Sequence, residues 1–290
     1  MNVIDTKHEL RGWRRGLDVG TPVVLVPTMG ALHVGHCALI SAARQRAGEH
    51  GRVVVTIFVN PTQFNQASDL ENYPSTLEAD LALCEQYGAD AVFCPSASEV
   101  YADDSSVMVS ERSLSATLCG ATRPGHFDGV CTVVLKLYNL VQPDAMLFGE
   151  KDFQQVAVVQ RMVRDLDLSV EIQPVPTVRA ESGLALSSRN ARLTAVAQQE
   201  APQLYAALCA AREVLASGAL SAGDVEAFVQ GRLGGVVTEL RWDYISLVHP
   251  ETMQAATARA TAGEGGEAIL AVAVFFGEIR LIDHVRVTLL

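Results

Sequence analysis

The sequence predicts an α/β protein with two domains. A Rossmann-like, doubly wound parallel sheet domain is expected over residues 1–180, and a smaller α+β domain over residues 181–290. The first half of the chain alternates short apolar, β-branched segments with helical segments, which is the pattern of a parallel sheet covered by helices. Beyond about residue 190, helices are followed by consecutive strand-like segments, which is typical of an α+β domain.

The first domain is predicted from apolar runs and the turn residues between them. Pro27 and Gly30 are expected to end the second strand. Residues 65–74 and 99–125 are polar and are predicted to be irregular. The predicted strands cover 2–4, 23–26, 52–59, 89–94, 145–148 and 170–173, with helices from about residue 7, over 35–47, 75–87 and 129–141, and from residue 149.

The second domain is predicted to begin with a long alanine-rich helix. Thr194 is a suitable N-cap, and the helix is expected to continue to about Ser217. A second helix is predicted over 222–233, and a flexible turn over 263–267. The predicted strands cover 240–248, 268–276 and 279–287.

The composition limits the class of protein. The chain has 290 residues, 49% of them hydrophobic and 19% charged, which is sufficient for a substantial core. A net charge of −11, with no compensating Lys/Arg block, argues against a nucleic-acid partner. Any anionic ligand must therefore be held by a local cluster of positive or donor groups.

The sequence also indicates a cytoplasmic location. The start of the chain lacks the basic segment and apolar run of a signal peptide. The apolar stretch 268–276 has the length of a strand, so no membrane partner is expected. The six cysteines show neither CxxC nor disulfide-like spacing, which favours a reducing compartment.

Two histidines lie where the second strand passes into a helix. His33 and His36 flank Gly35 at a predicted helix N-terminus, where unpaired backbone N–H groups and the helix dipole attract anions. Two alternatives remain open for this pair. The histidines are surface residues by chance, or they bind a metal, although the motif has no carboxylate at ligand spacing.

Other polar residues are expected at the same edge of the sheet. Asn60 and Gln63 follow the next strand, and Lys151 follows the strand predicted at 145–148. Because ligands of open parallel sheets bind beyond the carboxyl ends of the strands, these residues and the two histidines are candidates for one site.

Five motifs, in this order, resemble those of the pantoate–β-alanine ligase family (the pantothenate synthetases). The resemblance covers residues 23–192, and the last third of the chain fits in length and pattern. The wider group contains the HxGH nucleotidyltransferases and class I aminoacyl-tRNA synthetases. The motifs are PTMGALHVGH, FVNPTQF, GATRPGHFDGV, FGEKDFQQ and LALSSRN.

The resemblance implies an ATP-dependent, carbon–nitrogen bond-forming ligase of pantothenate biosynthesis. The carboxylate of (R)-pantoate attacks the α-phosphate, which releases pyrophosphate and leaves pantoyl adenylate. The amine of β-alanine then attacks the acyl carbon, giving pantothenate and AMP. ATP is expected as its Mg²⁺ complex, with Asp80 and Asp152 as possible outer-shell partners, and the family is typically homodimeric.

The resemblance also implies which residues bind ATP. His36, His33, Lys151 and Arg189 are expected to be catalytic, since donors and cations neutralise charge on the phosphate oxygens. Ser187, Ser188 and Arg189 resemble the mobile KMSKS-like loop, and Leu186 stands where methionine is frequent. The expected ATP-binding residues are Met29, Gly30, Ala31, Leu32, His33, Val34, Gly35, His36, Gly149, Glu150, Lys151, Asp152, Val178, Leu186, Ser187, Ser188 and Arg189.

Pantoate is expected to bind two glutamines. By resemblance, Gln63 contacts pantoate and β-alanine, and Gln155 contacts pantoate, because a neutral amide both donates and accepts hydrogen bonds. Asn60, Tyr73 and Arg123 are secondary candidates for lining the pocket. Thr62 stands where methionine or leucine is frequent, which places local packing in doubt.

Other functions remain open at this point. A nucleotidyltransferase would leave AMP on another small substrate, and a synthetase fragment would charge tRNA. The acidic charge balance and the lack of a basic appendage oppose the tRNA function. A non-catalytic nucleotide-binding sensor is the third alternative.

Overall fold

The computed structural model describes residues 1–235, 237–238, 240–256 and 266–289. The chain forms two compact units. The first comprises Met1–Arg112 and Arg123–Pro176, and the second comprises Ser113–Thr122 and Thr177–Leu290. No helix in the described part of the chain is long and apolar enough to span a membrane.

A six-stranded parallel sheet forms the centre of the first unit, in the order β1-β4-β3-β2-β5-β6. From β2 the chain adds β3 and β4 on one side, and it later adds β5 and β6 on the other. The direction of winding thus changes at β2, where a parallel sheet opens a crevice for ligands. The strands are β1 Asn2–Ile4, β2 Val23–Thr28, β3 Arg52–Ile57, β4 Ala91–Phe93, β5 Ala145–Gly149 and β6 Glu171–Val175.

Helices follow or separate these strands, and short 3₁₀ turns cover Pro61–Gln63, Leu114–Ala116, Glu150–Asp152, Ser188–Arg192 and Ala222–Asp224. The α-helices, in chain order through both units, are α1 Lys7–Arg15, α2 Val34–Ala47, α3 Ala67–Glu71, α4 Leu77–Gln86, α5 Ala97–Val100, α6 Leu118–Thr122, α7 His126–Val141, α8 Phe153–Asp165, α9 Ala195–Glu200, α10 Pro202–Ala216 and α11 Val225–Leu233.

Helices cover both faces of the parallel sheet. Val24 and Val26 of β2 point to a core that includes residues of α2 and α4. Val23 and Leu25, which alternate with them, are fully buried, and α7 packs against β2 with α1 and α8 as its neighbours. The prediction of a doubly wound parallel sheet is confirmed.

The prediction that Pro27 ends the second strand is wrong, because β2 continues to Thr28 and Pro27 pairs with Thr56 of β3. Pairing between β2 and β5 ends at Leu25 and Met146. The backbone of Thr28 faces β3, since its carbonyl accepts a hydrogen bond from Phe58. Pro27, one residue earlier, therefore faces the β5 side beyond the last paired residue, where no N–H donor is needed.

Two segments predicted to be irregular contain short helices. The polar stretch 65–74 includes α3, and the stretch 99–125 includes α5's last residues and α6. None of these helices exceeds five residues. Helices this short depend on tertiary packing, so local periodicity does not reveal them.

The second unit contains a three-stranded antiparallel sheet, β7 Leu240–Val248, β8 Gly266–Phe276 and β9 Ile279–Leu289. Its core includes residues of α10 and α11 together with the inward side chains of the three strands. This arrangement confirms the predicted α+β pattern. Residues 263–265 of the predicted flexible turn lie outside the described residues, and Gly266 already belongs to β8.

The long helix predicted after Thr194 is two helices. Thr194 is the N-cap of α9, and its hydroxyl accepts a hydrogen bond from the Ala197 N–H. α9 ends at Glu200 and α10 begins at Pro202. Proline has no N–H to continue the helix and its ring clashes with the preceding turn, so it occurs at the first position of a new helix.

The segment Ser113–Thr122 belongs to the second unit through contacts with its sheet. The hydroxyl of Tyr244 lies 3.2 Å from the Cys119 sulfur. The guanidinium of Arg280 donates to Thr122 Oγ1 at 3.4 Å and pairs with Asp243 at 2.7 Å. A stretch from the middle of the chain is thereby fastened to β7 and β9.

Candidate active site

The loop after β2 turns sharply and is held by a buried carboxylate. Gly30 and Ala31 both have positive φ, +80° and +50°. Asp80 of α4 is 2% exposed, and its two oxygens accept hydrogen bonds from the N–H groups of Ala31 and Leu32, each at 2.8 Å. Asp80, suggested above as an outer-shell partner of Mg²⁺, thus anchors the backbone that leads to His33.

His33 and His36 cap the first turn of α2. Nδ1 of His33 accepts a hydrogen bond from the Gly35 N–H at 3.1 Å, and Nδ1 of His36 accepts one from the His33 N–H at 3.2 Å. The ring centroids are 4.2 Å apart. Since each Nδ1 is an acceptor, the proton of each neutral ring is on Nε2, which is the donor left for a ligand.

Both imidazoles are neutral near pH 7. Burial, and then the charge of Lys151, lower the pKa of His33 to about 4. Burial, and then the neighbouring His33, lower the pKa of His36 to about 3. The pair therefore offers two N–H donors to an anion without itself carrying charge.

The cation of this site is Lys151. It lies in the 3₁₀ turn Glu150–Asp152 that directly follows β5. Its side chain is only 18% exposed, and Nζ lies 3.9 Å from the Asp152 carboxylate. β2 and β5 are parallel neighbours, so the residues that follow them lie at the same edge of the sheet, where the direction of winding changes. The charge of Lys151 accordingly lowers the pKa of both histidines.

Gln63 joins the next strand to this loop. It is buried, and its Nε2 donates to the sulfur of Met29 at 2.8 Å, while its Oε1 accepts from Asn60 Nδ2 at 3.1 Å. Asn60 is 1% exposed and also donates to the carbonyl of Gly129 at 3.1 Å. The structure therefore brings together Met29, Asn60 and Gln63.

The backbone of Gln63 is held by two side chains from the segment that opens α7. Arg123 Nη2 donates to the Gln63 carbonyl at 3.1 Å, and His126 Nδ1 lies 2.9 Å from the same oxygen. Arg123 Nη1 lies 3.1 Å from His126 Nε2. Because a guanidinium only donates, Nε2 accepts, and Nδ1–H donates to Gln63. His126 was missed, although it lies in the quoted motif GATRPGHFDGV.

Tyr73 and Gln155 have less direct contacts with these groups. Tyr73 packs edge-on against Phe64, with ring centroids 5.7 Å apart, next to Gln63 in sequence. Gln155 is in the first turn of α8 and is partly buried, whereas its neighbour Gln154 is 3% exposed. The structure places Gln155 one turn beyond Lys151, on the same side of the strand order as β5.

The remaining predicted ATP-binding residues belong to the second unit. Leu186 N–H donates to the Val178 carbonyl at 3.0 Å, and Arg179 pairs with Ala185 in an antiparallel bridge, so residues 178–186 form a short hairpin turn. Ser187 caps the 3₁₀ turn Ser188–Arg192, and its Oγ accepts from the Arg189 N–H at 3.3 Å. These residues form one local structure in the second unit.

Arg179 holds the base of this turn and was also missed. Its guanidinium forms two hydrogen bonds with the buried carboxylate of Asp283, at 2.6 and 2.8 Å. It also stacks on the ring of Tyr205, 3.5 Å from the centroid, and donates to the Gly183 carbonyl. A planar cation suits this position, because it can pair with a carboxylate in its plane and stack on its face.

The edge of the first unit has groups that suit a polyphosphate. Two neutral N–H donors at the N-terminus of α2 and the ammonium of Lys151 after β5 lie at this edge. The side-chain amide of Gln63 contacts the loop that leads to these groups, through the sulfur of Met29. Such groups position an anion and neutralise developing charge, which is what phosphoryl transfer requires.

Comparison with known proteins gives consistent results over the whole chain. A family model described as pantoate-beta-alanine ligase matches residues 2–286. The pantothenate synthetase of Akkermansia muciniphila is 51% identical over 264 residues, which are 91% of this chain and 92% of the relative. The pantothenate synthetase of Dinoroseobacter shibae is 48% identical, covering 95% of this chain and 94% of the relative.

Two solved structures are similar throughout. Pantothenate synthetase from Thermus thermophilus has a TM-score of 0.88 at 45% identity, covering 98% of this chain and 99% of the other. Pantoate-beta-alanine ligase from Francisella tularensis, complexed with beta-gamma ATP and beta-alanine, has a TM-score of 0.80 at 32% identity, covering 98% and 97%.

Proposed function

The chain belongs to the pantoate–β-alanine ligase family, and from this premise we propose that it makes pantothenate from (R)-pantoate and β-alanine. ATP is consumed, and AMP and pyrophosphate are released through a pantoyl-adenylate intermediate. The observation that carries the proposal is the pair of neutral histidines, with Nε2–H donors, facing the same region as Lys151.

The first step is attack of the pantoate carboxylate on the α-phosphorus, with loss of pyrophosphate. We propose that the Nε2–H groups of His33 and His36 donate to phosphate oxygens, and that Lys151 neutralises charge on the departing pyrophosphate. Neutral donors near a carboxylate nucleophile have an advantage, because they do not form an ion pair that would hold it away from phosphorus. We propose that the segments Gly30–Gly35 and Gly149–Asp152 contact ATP on this side. The N–H groups of Gly30, Ala31, Leu32, His33 and Gly35 already donate within the protein and shape the loop.

The second step is attack of the β-alanine amine on the acyl carbon, with AMP leaving. We propose that Gln63 and Gln155 hold pantoate, and that Gln63 also contacts β-alanine. Asn60 and Arg123 support Gln63, at its amide and at its carbonyl respectively. Tyr73 packs against Phe64, which follows Gln63 in the chain.

Roles for the second unit remain predictions that rest on the family resemblance. Val178 and Leu186 are proposed to contact ATP. Ser187, Ser188 and Arg189 are proposed to close over the triphosphate, and residues 181–290 act as the lid domain. Arg179 supports this proposal, because its two hydrogen bonds with Asp283 hold the start of the turn in a fixed position.

ATP is proposed to enter as its Mg²⁺ complex, in which the metal neutralises phosphate charge. Asp152 fits an outer-shell role, because its side chain is 49% exposed beside Lys151. Asp80 fits less well, since both of its oxygens accept backbone N–H groups.

We also propose that the protein works in the cytoplasm, where ATP is available, and as a homodimer. The edge strand β1 supports association, because Val3 is 51% exposed there. Sedimentation that returned the mass of one chain, 31.0 kDa, would contradict the dimer.

The decisive experiment supplies the protein with ATP, Mg²⁺, (R)-pantoate and β-alanine and quantifies AMP, pyrophosphate and pantothenate. We expect pantothenate and AMP in equal amounts, with AMP release dependent on β-alanine. Pyrophosphate release without β-alanine-dependent AMP would indicate a nucleotidyltransferase instead. ATP binding with no turnover would indicate a sensor.

A variant links the reaction to the histidine pair. His36→Ala is expected to slow pyrophosphate release about 100-fold or more, because one donor to the transition state is lost. His50→Ala, which removes an exposed imidazole from the turn after α2, is the matched control. Unchanged pyrophosphate release in His36→Ala would exclude His36 from catalysis.

A further inference from the structure

We propose that Tyr101 and Thr62 are positioning residues, which act through Asn60 to fix the direction of the Gln63 side-chain amide. In this arrangement Gln63 presents N–H, and not C=O, to the substrate. The inference rests on the proposed function, because it assigns a donor role to the glutamine that is proposed to hold pantoate.

The first step concerns the buried amide of Asn60. Its Oδ1 accepts hydrogen bonds from the hydroxyl of Tyr101 at 2.9 Å and from the hydroxyl of Thr62 at 3.0 Å. Its Nδ2 donates to the Gly129 carbonyl at 3.1 Å. A carbonyl only accepts, so the flipped amide would place two acceptors face to face. Asn60 thus has one favourable orientation.

The second step passes this orientation to Gln63. Asn60 Nδ2 has a second proton, which it donates to Gln63 Oε1 at 3.1 Å. The carbonyl end of the Gln63 amide is thereby used within the protein. Its Nε2 is directed to the opposite side, where it contacts the sulfur of Met29 at 2.8 Å.

The chemical consequence is a preference for acceptor groups. A thioether is a weak acceptor, so an oxygen of a carboxylate or hydroxyl readily replaces it at Gln63 Nε2. A hydroxy acid such as pantoate presents such oxygens, and so does the carboxylate of β-alanine, whereas a protonated amine does not. The hydrogen bonds from Tyr101 and Thr62 to Asn60, and from Asn60 to Gln63, therefore make Gln63 selective for groups that accept hydrogen bonds.

Tyr101 is suited to this role because packing holds its ring. The ring lies 6.3 Å from that of Phe58, and the Lys136 ammonium lies 5.2 Å from its centroid. Burial raises the pKa of its hydroxyl. The hydroxyl therefore stays protonated and continues to donate over the working pH range.

The test compares Tyr101→Phe, Thr62→Val and the double variant. Each single variant is expected to raise the KM for pantoate about 5-fold, since one neutral hydrogen bond is lost. The double variant is expected to raise it about 25-fold or more, because Asn60 Oδ1 then has neither hydroxyl donor. The KM for ATP should stay unchanged.

A second background separates positioning from general structural damage. In a Gln63→Ala protein, Tyr101→Phe should have no further effect on pantoate affinity, measured by calorimetry. Tyr138→Phe, which removes a hydroxyl from α7, is the matched control and should behave like wild type. Circular dichroism confirms that each variant is folded.

The outcomes distinguish the two proposals. A wild-type protein that makes no pantothenate would refute the proposed function. An active wild type whose double variant has an unchanged KM for pantoate would refute the positioning role alone. The same refutation follows if Tyr101→Phe weakens pantoate binding equally with and without Gln63, or raises the KM for ATP to the same extent.

Discussion

At the scale of single residues, the protonation of the two histidines is fixed by backbone. Nδ1 of His33 and Nδ1 of His36 each accept a main-chain N–H. This leaves one tautomer for each neutral ring. A charged imidazole would have to give up its cap hydrogen bond, because both of its nitrogens are donors. The cap and the lowered pKa values therefore favour the same neutral state.

The neutral state of His33 and His36 predicts how the stability of the folded protein depends on pH. The pKa of His36 falls from its ordinary value of 6.5 to about 3 in the folded protein, and that of His33 to about 4. As the pH falls below 6.5, the two histidines are protonated in the unfolded chain before they are protonated in the folded protein. Their contribution to the free energy of unfolding is therefore complete above pH 6.5 and is lost as the pH falls towards 3. Lys151 opposes protonation of both rings, and Asp152 favours it.

Denaturant unfolding at about pH 7 and about pH 4.5 measures this loss. The wild type is expected to lose more stability between the two conditions than His36→Asn, whose amide oxygen keeps the acceptor but does not titrate. Equal losses in the two proteins would show that His36 does not contribute. His50→Asn should follow the wild type.

The sequence indicated the groups that are proposed to carry chemistry, but not the contacts that orient them. His33, His36 and Gln63 were placed at one edge of the sheet from their positions after strands, which are local features, and the resemblance to the family's motifs assigned roles to them and to Lys151. Asp80 was suggested only as a partner of Mg²⁺, because its contacts with Ala31 and Leu32 join segments 48 and 49 residues apart. Such contacts depend on the register of α4 against the sheet, which no local pattern specifies.

At the scale of elements, a close approach between α7 and the 3₁₀ turn Pro61–Gln63 builds the part of the site that is proposed to bind pantoate. A Cβ atom on Gly129 would lie 2.5 Å from the Thr62 carbonyl oxygen and 2.8 Å from the Gln63 nitrogen. Both neighbours are backbone atoms. Glycine is therefore needed for the Gly129 carbonyl to reach Asn60.

Gly129→Ala is expected to push the turn away from α7. The KM for pantoate should rise about 10-fold or more, since Asn60 loses a buried acceptor and Gln63 moves with it. Pantoate titration by calorimetry measures the effect. Gly12→Ala, on α1 with open space around its Cβ position, is the control. Unaltered affinity in Gly129→Ala would mean that the turn adjusts without moving Gln63.

The elements themselves were predicted well where apolar periodicity is strong. The strands of both sheets and the helices α2 and α7 appear near their expected positions. Two of the errors occur at prolines. Pro27 continues a strand because the pairing with β5 on that side has already ended at Leu25, and Pro202 divides a helix whose alanine-rich sequence has no other interruption. In each case the surroundings decide what the proline does.

At the scale of the whole molecule, each unit has a core of its own. Leu208 of α10 is fully buried in the core of the second unit, and Leu25 of β2 is fully buried in the first. The chain passes between the units near residues 112, 122 and 176. Each unit can therefore lose stability separately.

Leu208→Ala is expected to destabilise the second unit by about 2 to 5 kcal/mol, because it leaves a cavity among α10, α11 and the antiparallel sheet. Native-state hydrogen exchange measures the effect for each amide. Protection should fall in α10 and β8 and persist in β2 and β3, and Leu25→Ala should give the reverse. A uniform loss in either variant would show that the chain unfolds as one cooperative unit.

The division of the molecule was less predictable than its elements. The order of secondary structure indicates two domains, but it does not indicate that Ser113–Thr122 belongs to the second unit. That assignment depends on Tyr244 and Arg280, which contact Cys119 from 125 and 161 residues away. No local pattern in the sequence around Cys119 predicts these contacts.

Because residues 113–122 belong to the second unit, they must wait for their partners during protein synthesis. A nascent chain leaves the ribosome from its N-terminus, so Cys119 emerges long before Tyr244, 125 residues later. At about 5–20 residues per second, the wait is roughly 6 to 25 s. The parallel sheet of the first unit has all of its strands well before this wait ends. Residues 113–122 thus emerge early and reach their final partners late, when translation of the antiparallel sheet is nearly complete.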